Sequence, residues 1–173
     1  MVFTRDDIDH MRNGVPQHSQ PPCVILFNGF PGVGKYTIAQ AFKDKMETIP
    51  TRLVDNHTII DPVEALIPGR NTAHDALRKQ FRGLASEALK NTNEDGLVII
   101  LAACLAAGSS RAREHFQEYV ELATARGEPL VVGRVVCDES ANKKRVCSEE
   151  RKKKGGGGGG GETKLAADRF SRR

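Results

Sequence analysis

A glycine-rich loop that joins an apolar strand to a helix constrains the fold of this chain more than any other feature. The run 23–27 reads CVILF, and continuous apolar residues of this kind are typical of a strand buried on both faces. The segment 29–35, GFPGVGK, follows it and fits the pattern G-x-x-x-x-G-K. We expect a helix to begin at Thr37 and to run to about Glu47. A strand, a tight turn and a helix in this order predict an α/β fold.

The residues of this turn have the chemistry of a phosphate-binding site. Glycines allow the backbone to curl until successive N–H groups point into one cavity, and the helix N-terminus adds a partial positive charge. Lys35 adds a mobile cation for the β- and γ-phosphates of a nucleotide. An ordinary glycine-rich turn with a solvated lysine is the alternative. We call residues 29–37 the phosphate loop. Its candidate nucleotide-binding residues are Gly29, Gly32, Val33, Gly34, Lys35, Tyr36 and Thr37.

The residue after the lysine departs from the usual pattern. That position normally holds Ser or Thr, whose hydroxyl contacts Mg²⁺, and here it holds Tyr36. Thr37 is the nearest hydroxyl, and loops of the adenylate kinase kind also read G-K-x-T. ATP and Mg²⁺ are therefore the expected cofactors, with GTP left open as the nucleotide. Thr37 and Asp55 are the candidate magnesium ligands.

Asp55 is also the candidate catalytic base. It lies 20 residues after Lys35, where a short strand over 52–54 should end beside the phosphate loop. A carboxylate there could accept the proton of a substrate hydroxyl or hold Mg²⁺ through water. A turn aspartate or a helix cap is the alternative. His57 follows in a segment taken as extended, and it is a candidate for substrate binding or a further cap.

The rest of the chain alternates helices and strands. Asp61 and Pro62 have the pattern of a helix start, and Gly127 has that of a helix end. Further elements are expected over 72–90 (helix), 97–102 (strand), 111–126 (helix), 130–136 (strand) and 139–154 (basic helix). This alternation predicts a three-layer αβα sandwich with a parallel sheet. Both candidate ligand segments follow strand ends, where open α/β sheets bind ligands.

Composition shifts predict the domain organisation. Residues 1–22 read as a flexible leader and residues 23–154 as one domain. The seven glycines over 155–161 cannot hold regular structure and predict a linker. The tail 162–173 holds 12 residues, too few for another helix and strand, which favours a sheet without the last strand of its fold.

Composition also limits the partners. Aromatic residues are 5% of the chain with no Trp, and the excess of basic residues is local, so we expect nucleic acid not to be a partner. The longest apolar run, 97–107, is too short for a bilayer, which needs about 20 residues. We expect no membrane association and a cytoplasmic location. The cysteines are expected to be reduced and mostly buried: Cys23, Cys104, Cys137 and Cys147.

Two features bear on catalysis. Arg145 and Arg151 lie on the basic helix and are candidates for clamping a transferring phosphoryl group, with a solvated basic face as the alternative. The strand over 97–102 leads into Ala103 and Cys104, where phosphate-loop enzymes usually carry an aspartate. The missing acid weakens the case for catalysis.

Several segments together resemble AAA-type P-loop kinase-like proteins, which are similar in layout to the chloramphenicol phosphotransferase, zeta-toxin and shikimate/gluconate kinase groups. The segments are 27–39 (FNGFPGVGKYTIA), 53–57 (LVDNH) with 60–62 (IDP), and 125–130 (ARGEPL). The resemblance implies an ATP-dependent kinase fold with a five-stranded parallel sheet in the order 2-3-1-4-5. It also implies an acidic base after strand two, here Asp55. The lid it implies holds arginines, here Arg145 and Arg151, and contains the polyglycine linker.

Three functions remain open from the sequence. The first is a small-molecule kinase that transfers the γ-phosphate of ATP to an unidentified hydroxyl-bearing molecule, with Lys35, Asp55, Arg145 and Arg151 as catalytic residues. The second is a degenerate module that binds nucleotide without turning it over. A polynucleotide kinase or RNA-repair activity ranks last, because the chain offers few aromatic residues and no extended basic groove.

Overall fold

The structure, a computed structural model, describes residues 21–147. In chain order its elements are β1 (Cys23–Asn28), α1 (Lys35–Asp44), β2 (Thr51–Asp55), α2 (Asn56–Leu66), α3 (Thr72–Lys90), β3 (Val98–Ala103), α4 (Ser110–Arg126), β4 (Leu130–Arg134) and α5 (Glu139–Val146). The leader up to residue 20, residues 148–154 of the last expected helix, the glycine linker and the tail lie outside the described residues.

The four strands of the described chain form one parallel sheet in the order β2-β3-β1-β4. Asn28 at the end of β1 pairs with Ala103 on β3 and with Arg134 on β4, while Asp55 at the end of β2 pairs with Ala102. The carboxyl ends of all four strands therefore lie along one edge. The predicted parallel α/β fold is confirmed.

Helices cover both faces of the sheet, which makes the three predicted layers. On one face Ala39 of α1 packs against Ile25 and Ile100. On the other face Leu122 of α4 packs in a second cluster with Leu26. Strands β1 and β3 are the centre of the sheet, and every residue of β3 is buried, as their apolar sequences predict.

Helix α2 begins earlier than its sequence predicts. Asp55 is its N-cap, and its side chain accepts a hydrogen bond from the Thr58 backbone N–H at 3.0 Å. The prediction of a start at Asp61 and Pro62 is wrong, since Pro62 lies inside the helix. The extended backbone at the end of β2 already gives Asp55 the geometry of a cap, so the earlier signal prevails.

A buried arginine joins the ends of α3 and α4. Arg126 donates from Nη1 to the Leu89 and Thr92 carbonyls at 2.7 and 3.0 Å, and its guanidinium pairs with Glu128 at 2.8 Å. Gly127 ends α4 in the left-handed conformation that its sequence position predicts. The segment ARGEPL is thus a structural junction that leads the chain into β4.

Strand β4 differs from the expectation of buried strands throughout. It ends at Arg134, and the side chains of Val131 and Val132 are 51% and 52% exposed. In the described sheet β4 pairs with β1 alone, so one edge of its backbone and much of both its faces are open. Helix α5 ends at Val146, within the range predicted for it.

The cysteines are less buried than expected. Cys23 is buried, but Cys104 and Cys137 are half-buried and Cys147 is exposed, because apolar neighbours in sequence do not ensure burial at strand and helix ends. All four thiols are free of disulfides. None of the helices between residues 21 and 147 combines the length and the apolar character that crossing a bilayer requires.

Candidate nucleotide-binding site

The backbone of the phosphate loop has the conformation that its glycines permit. Gly32 and Gly34 have φ angles of 86° and 93°, in the left-handed region that favours glycine. Gly34 is the N-cap of α1 and provides no side-chain hydrogen bond to the first turn. The N–H groups at the start of α1 therefore keep their capacity to bind an anion.

Gly29 is required by a close approach of the backbone. A Cβ at this position would lie 2.4 Å from the Val135 carbonyl oxygen. The segment after β4 that contains Val135 is fixed by a 2.7 Å hydrogen bond from the Val135 N–H to the Asn28 carbonyl. The first glycine of the motif thus lets the segment after β4 pack directly against the loop.

The lysine of the motif folds over its own loop. Lys35 Nζ donates hydrogen bonds to the Gly29 carbonyl at 2.7 Å and to the Phe30 carbonyl at 2.9 Å. These contacts hold the ammonium group against the first two residues of the loop.

Helix α5 brings two further side chains to the loop. Buried Asn142 donates from Nδ2 to the Pro31 carbonyl at 2.9 Å. Arg145, one turn later, places Nη1 3.9 Å from the point where a Cβ on Gly34 would lie. The structure thus brings Arg145 to the phosphate loop, whereas Arg151 lies outside the described residues.

The other loop residues differ in exposure. Val33 is 7% exposed, so its side chain anchors the loop in the protein. Tyr36 is 55% exposed, and Thr37 is exposed in the first turn of α1. The Thr37 hydroxyl is therefore open to ligands.

Asp55 and His57 lie at the start of α2 rather than in an extended segment. Asp55 Oδ1 accepts hydrogen bonds from Thr58 N–H at 3.0 Å and Thr58 Oγ1 at 3.1 Å. His57 belongs to the helix, is exposed, and pairs through Nδ1 with Asp61 Oδ1 at 3.1 Å. The expectation that His57 extends the strand beside Asp55 is wrong, because the Asp55 cap starts the helix at the next residue.

A side-chain link that sequence reasoning missed joins the ends of β1 and β3. Asn28 Oδ1 accepts from the Leu105 N–H at 2.8 Å, and Asn28 Nδ2 donates to the Leu105 carbonyl at 3.3 Å. Ala103, where an acid was expected, is fully buried, and its carbonyl accepts from the Gly29 N–H at 3.3 Å. The only sequence signal was a polar amide directly after an apolar strand.

The loop fits nucleotide phosphates by its own chemistry. The loop contains two glycines in the left-handed region and an uncapped helix start, and it is contacted by an ammonium group and approached by a guanidinium group. Among residues 21–147 no cluster of three or more His, Cys, Asp or Glu side chains could hold a metal ion.

No protein-family model matches the sequence, and no curated protein is significantly similar to it. Solved structures do share its fold. The structure named APE1195 superposes with a TM-score of 0.55 at 18% identity, over 81% of this chain and 77% of that one. A candidate kinase from Chloroflexus aurantiacus gives a TM-score of 0.56 at 16% identity, over 78% and 70% of the two chains.

A third similar structure carries ligands. The APS kinase CysC from Mycobacterium tuberculosis, solved in complex with AMPPNP and APS, gives a TM-score of 0.52 at 15% identity. The superposition covers 77% of this chain and 73% of the kinase. Likeness at this level of identity concerns the fold, and this chain has a P-loop kinase-like fold.

Proposed function

We propose that this protein binds ATP at the phosphate loop and transfers its γ-phosphoryl group to a hydroxyl of a small molecule. One observation supports this above the others. Lys35 and Arg145, which are 110 residues apart in sequence, meet at the same loop. Charges from separate elements that converge on a helix start are what a phosphoryl group in transfer requires.

Each residue has a role in this proposal. The N–H groups of the loop and the start of α1 hold the phosphates, and Lys35 and Arg145 offset the charge that develops in transfer. Thr37, and Asp55 through water, would hold Mg²⁺, which would supply further positive charge at the phosphates. His57, exposed at the first turn of α2, would contact the acceptor.

Asp55 takes the proton of the acceptor. The acceptor oxygen bonds to the γ-phosphorus, the bond from that phosphorus to the bridging oxygen breaks, and ADP leaves. The hydrogen bonds from Thr58 both go to Oδ1, so Oδ2 is the atom that we assign to accept the proton. Strand β3 separates β2 from β1, so Asp55 lies two strand spacings, about 10 Å, from β1.

The first experiment titrates the protein with a fluorescent ATP analogue, with and without Mg²⁺. We expect saturable binding in the parent and a loss of at least tenfold in Lys35→Ala and in Arg145→Ala. Lys144→Ala is the matched control, because it removes the same charge one residue away on the exposed face of α5. No binding by a folded parent, or equal losses in Arg145→Ala and Lys144→Ala, would contradict this assignment of the site.

The catalytic assignment of Asp55 has its own test. Asn caps helices about as well as Asp, so Asp55→Asn should keep the start of α2 and the thermal stability of the parent. We expect ADP formation with an acceptor to fall by at least a hundredfold while affinity for the ATP analogue is kept. Intact turnover in the variant would remove Asp55 as the base.

A nucleotide-binding module without catalysis is the second candidate, and a specific observation favours it. Ala103 is fully buried at the position where an acid was expected, so β3 contributes no carboxylate there. Tight binding of ATP with no ADP formation, in the presence of any of a broad set of alcohols, would support this candidate over the kinase.

A further inference from the structure

A pocket lies beside Asp55, between the sheet and the helices α3 and α4. Its cavity volume is about 50 Å³, and it is partly open to solvent. Its walls include Val54 and Leu101 from the sheet, Leu89 from α3 and Leu122 from α4. The pocket therefore offers an apolar body next to the carboxylate that the proposed function assigns as the base.

The charged side chains of this pocket leave it without a free cation. Arg82 donates from Nε and Nη2 to the two carboxylate oxygens of Glu118 at 2.9 and 3.1 Å. Both side chains line the pocket and are mostly buried, at 19% and 28% exposure. The third charged residue of the lining is Asp55, which is negative. Its lining charges thus sum to one negative charge.

The aromatic residue of the pocket wall is also uncharged. Tyr119 lines the pocket, and its hydroxyl lies 2.8 Å from Nε2 of His115. Burial raises the pKa of Tyr119 above its usual range, and burial together with Arg82 lowers the pKa of His115 to about 4. Both groups are neutral near pH 7, so neither changes the charge of the wall.

From this arrangement we infer that the pocket binds the acceptor, and that the acceptor is a neutral molecule with a compact apolar body and a hydroxyl group. This inference rests on the proposed function. An anionic acceptor would lose its hydration without gaining an unpaired cation, and Asp55 would repel it. An apolar body instead gains from burial against Leu89, Leu101 and Leu122.

Three probes of nearly equal shape test the charge preference in the absence of nucleotide. They are 2-phenylethanol, phenylacetate and 2-phenylethylamine, measured by calorimetric titration and by ligand-observed NMR at pH 7. We expect 2-phenylethanol to bind at least tenfold more tightly than phenylacetate. Equal or tighter binding of phenylacetate, or no binding of 2-phenylethanol, overturns the inference.

Three variants test whether the probe binds in this pocket. Ala85→Leu fills space in the pocket wall and should weaken 2-phenylethanol binding at least tenfold, while Ala88→Leu on the exposed face of the same helix should not. Glu118→Gln leaves Arg82 without its charged partner and should raise phenylacetate affinity several-fold. Equal affinities in Ala85→Leu and Ala88→Leu, with both variants folded, would place the binding site elsewhere.

The two proposals can fail separately. Affinity for the ATP analogue is measured in the same variants and should not change in Ala85→Leu. Binding of 2-phenylethanol with no binding of ATP would overturn the proposed kinase and leave the pocket and its preference. Binding of ATP with a preference for phenylacetate would leave the nucleotide site and overturn the neutral acceptor.

Discussion

At the scale of single residues, the phosphate loop depends on positions that have no side chain. Gly29 and Gly34 serve different needs, since the first permits a close approach to Val135 and the second a left-handed backbone. A glycine elsewhere in the chain has no such role. Gly83 lies inside α3 with no atom within 4 Å of where a Cβ would be.

Alanine at position 29 and alanine at position 83 should therefore have opposite effects on stability. Gly29→Ala forces the segment around Val135 away from the loop. We therefore expect a lower melting temperature and at least tenfold weaker binding of the ATP analogue. Gly83→Ala should raise the free energy of unfolding by roughly 0.5–1 kcal/mol, because Gly is a poorer helix former than Ala. Chemical denaturation of both variants measures the contrast, and equal stability of Gly29→Ala and the parent would refute the steric argument.

The sequence predicted those site residues whose signal is local. The motif formed by Gly29, Gly34 and Lys35 spans only seven residues. In the structure Gly34 has a positive φ, and Lys35 donates to the Gly29 carbonyl. Asn142 gave no comparable signal, because its partner Pro31 is 111 residues away and the contact exists only once α5 packs on the loop. The pairing of Arg82 with Glu118 was missed for the same reason.

At the scale of elements, prediction was best where a stretch contains both its pattern and its ends. Helix α3 has the predicted bounds, 72–90, since its apolar period and its Asn71 cap agree. Helix α2 was misplaced because two start signals compete within seven residues and Asp55 precedes Asp61. The partners of a helix on its neighbours were not predictable, as the pairing of Arg82 on α3 with Glu118 on α4 shows.

Helix α4 should make stability depend on pH. The lowered pKa of His115, about 4 in the folded state, lies below its ordinary value of 6.5. As the pH falls, the unfolded chain therefore binds a proton before the folded chain does. The contribution of His115 to stability is fully present above about pH 6.5 and is lost as the pH falls toward 4. We expect this effect to lower the free energy of unfolding at pH 4.5 by on the order of 2 kcal/mol. Urea unfolding at pH 7 and pH 4.5 should show a smaller loss in His115→Gln than in the parent, and equal losses would exclude His115 as the cause.

At the scale of the whole molecule, the described sheet has a well-covered centre and, at β4, an edge strand with exposed apolar side chains. Strands β1 and β3 lie between two apolar clusters, while β4 leaves Val131 and Val132 half exposed beside exposed Val136. The order β2-β3-β1-β4 agrees with the order implied by the family resemblance, up to the fourth strand. Exposed apolar residues on a strand edge favour association between chains.

This edge predicts how the protein behaves at high concentration. We expect Val132→Lys to reduce self-association, because a charge on a strand edge opposes further pairing. Leu84→Lys is the control, since Leu84 is 69% exposed on α3 and the substitution adds the same charge far from the edge. Sedimentation velocity over a range of concentrations compares them, and equal association of the two variants would remove β4 as the contact.

The hydrogen bonds of Lys35 have a consequence for the energetics of binding. The lysine already uses the Gly29 and Phe30 carbonyls as partners, so an arriving phosphate exchanges these contacts for its own instead of adding to them. Lys35 then adds little to the number of hydrogen bonds that binding forms, and its contribution comes from bringing opposite charges together. This contribution should accordingly fall as salt screens those charges.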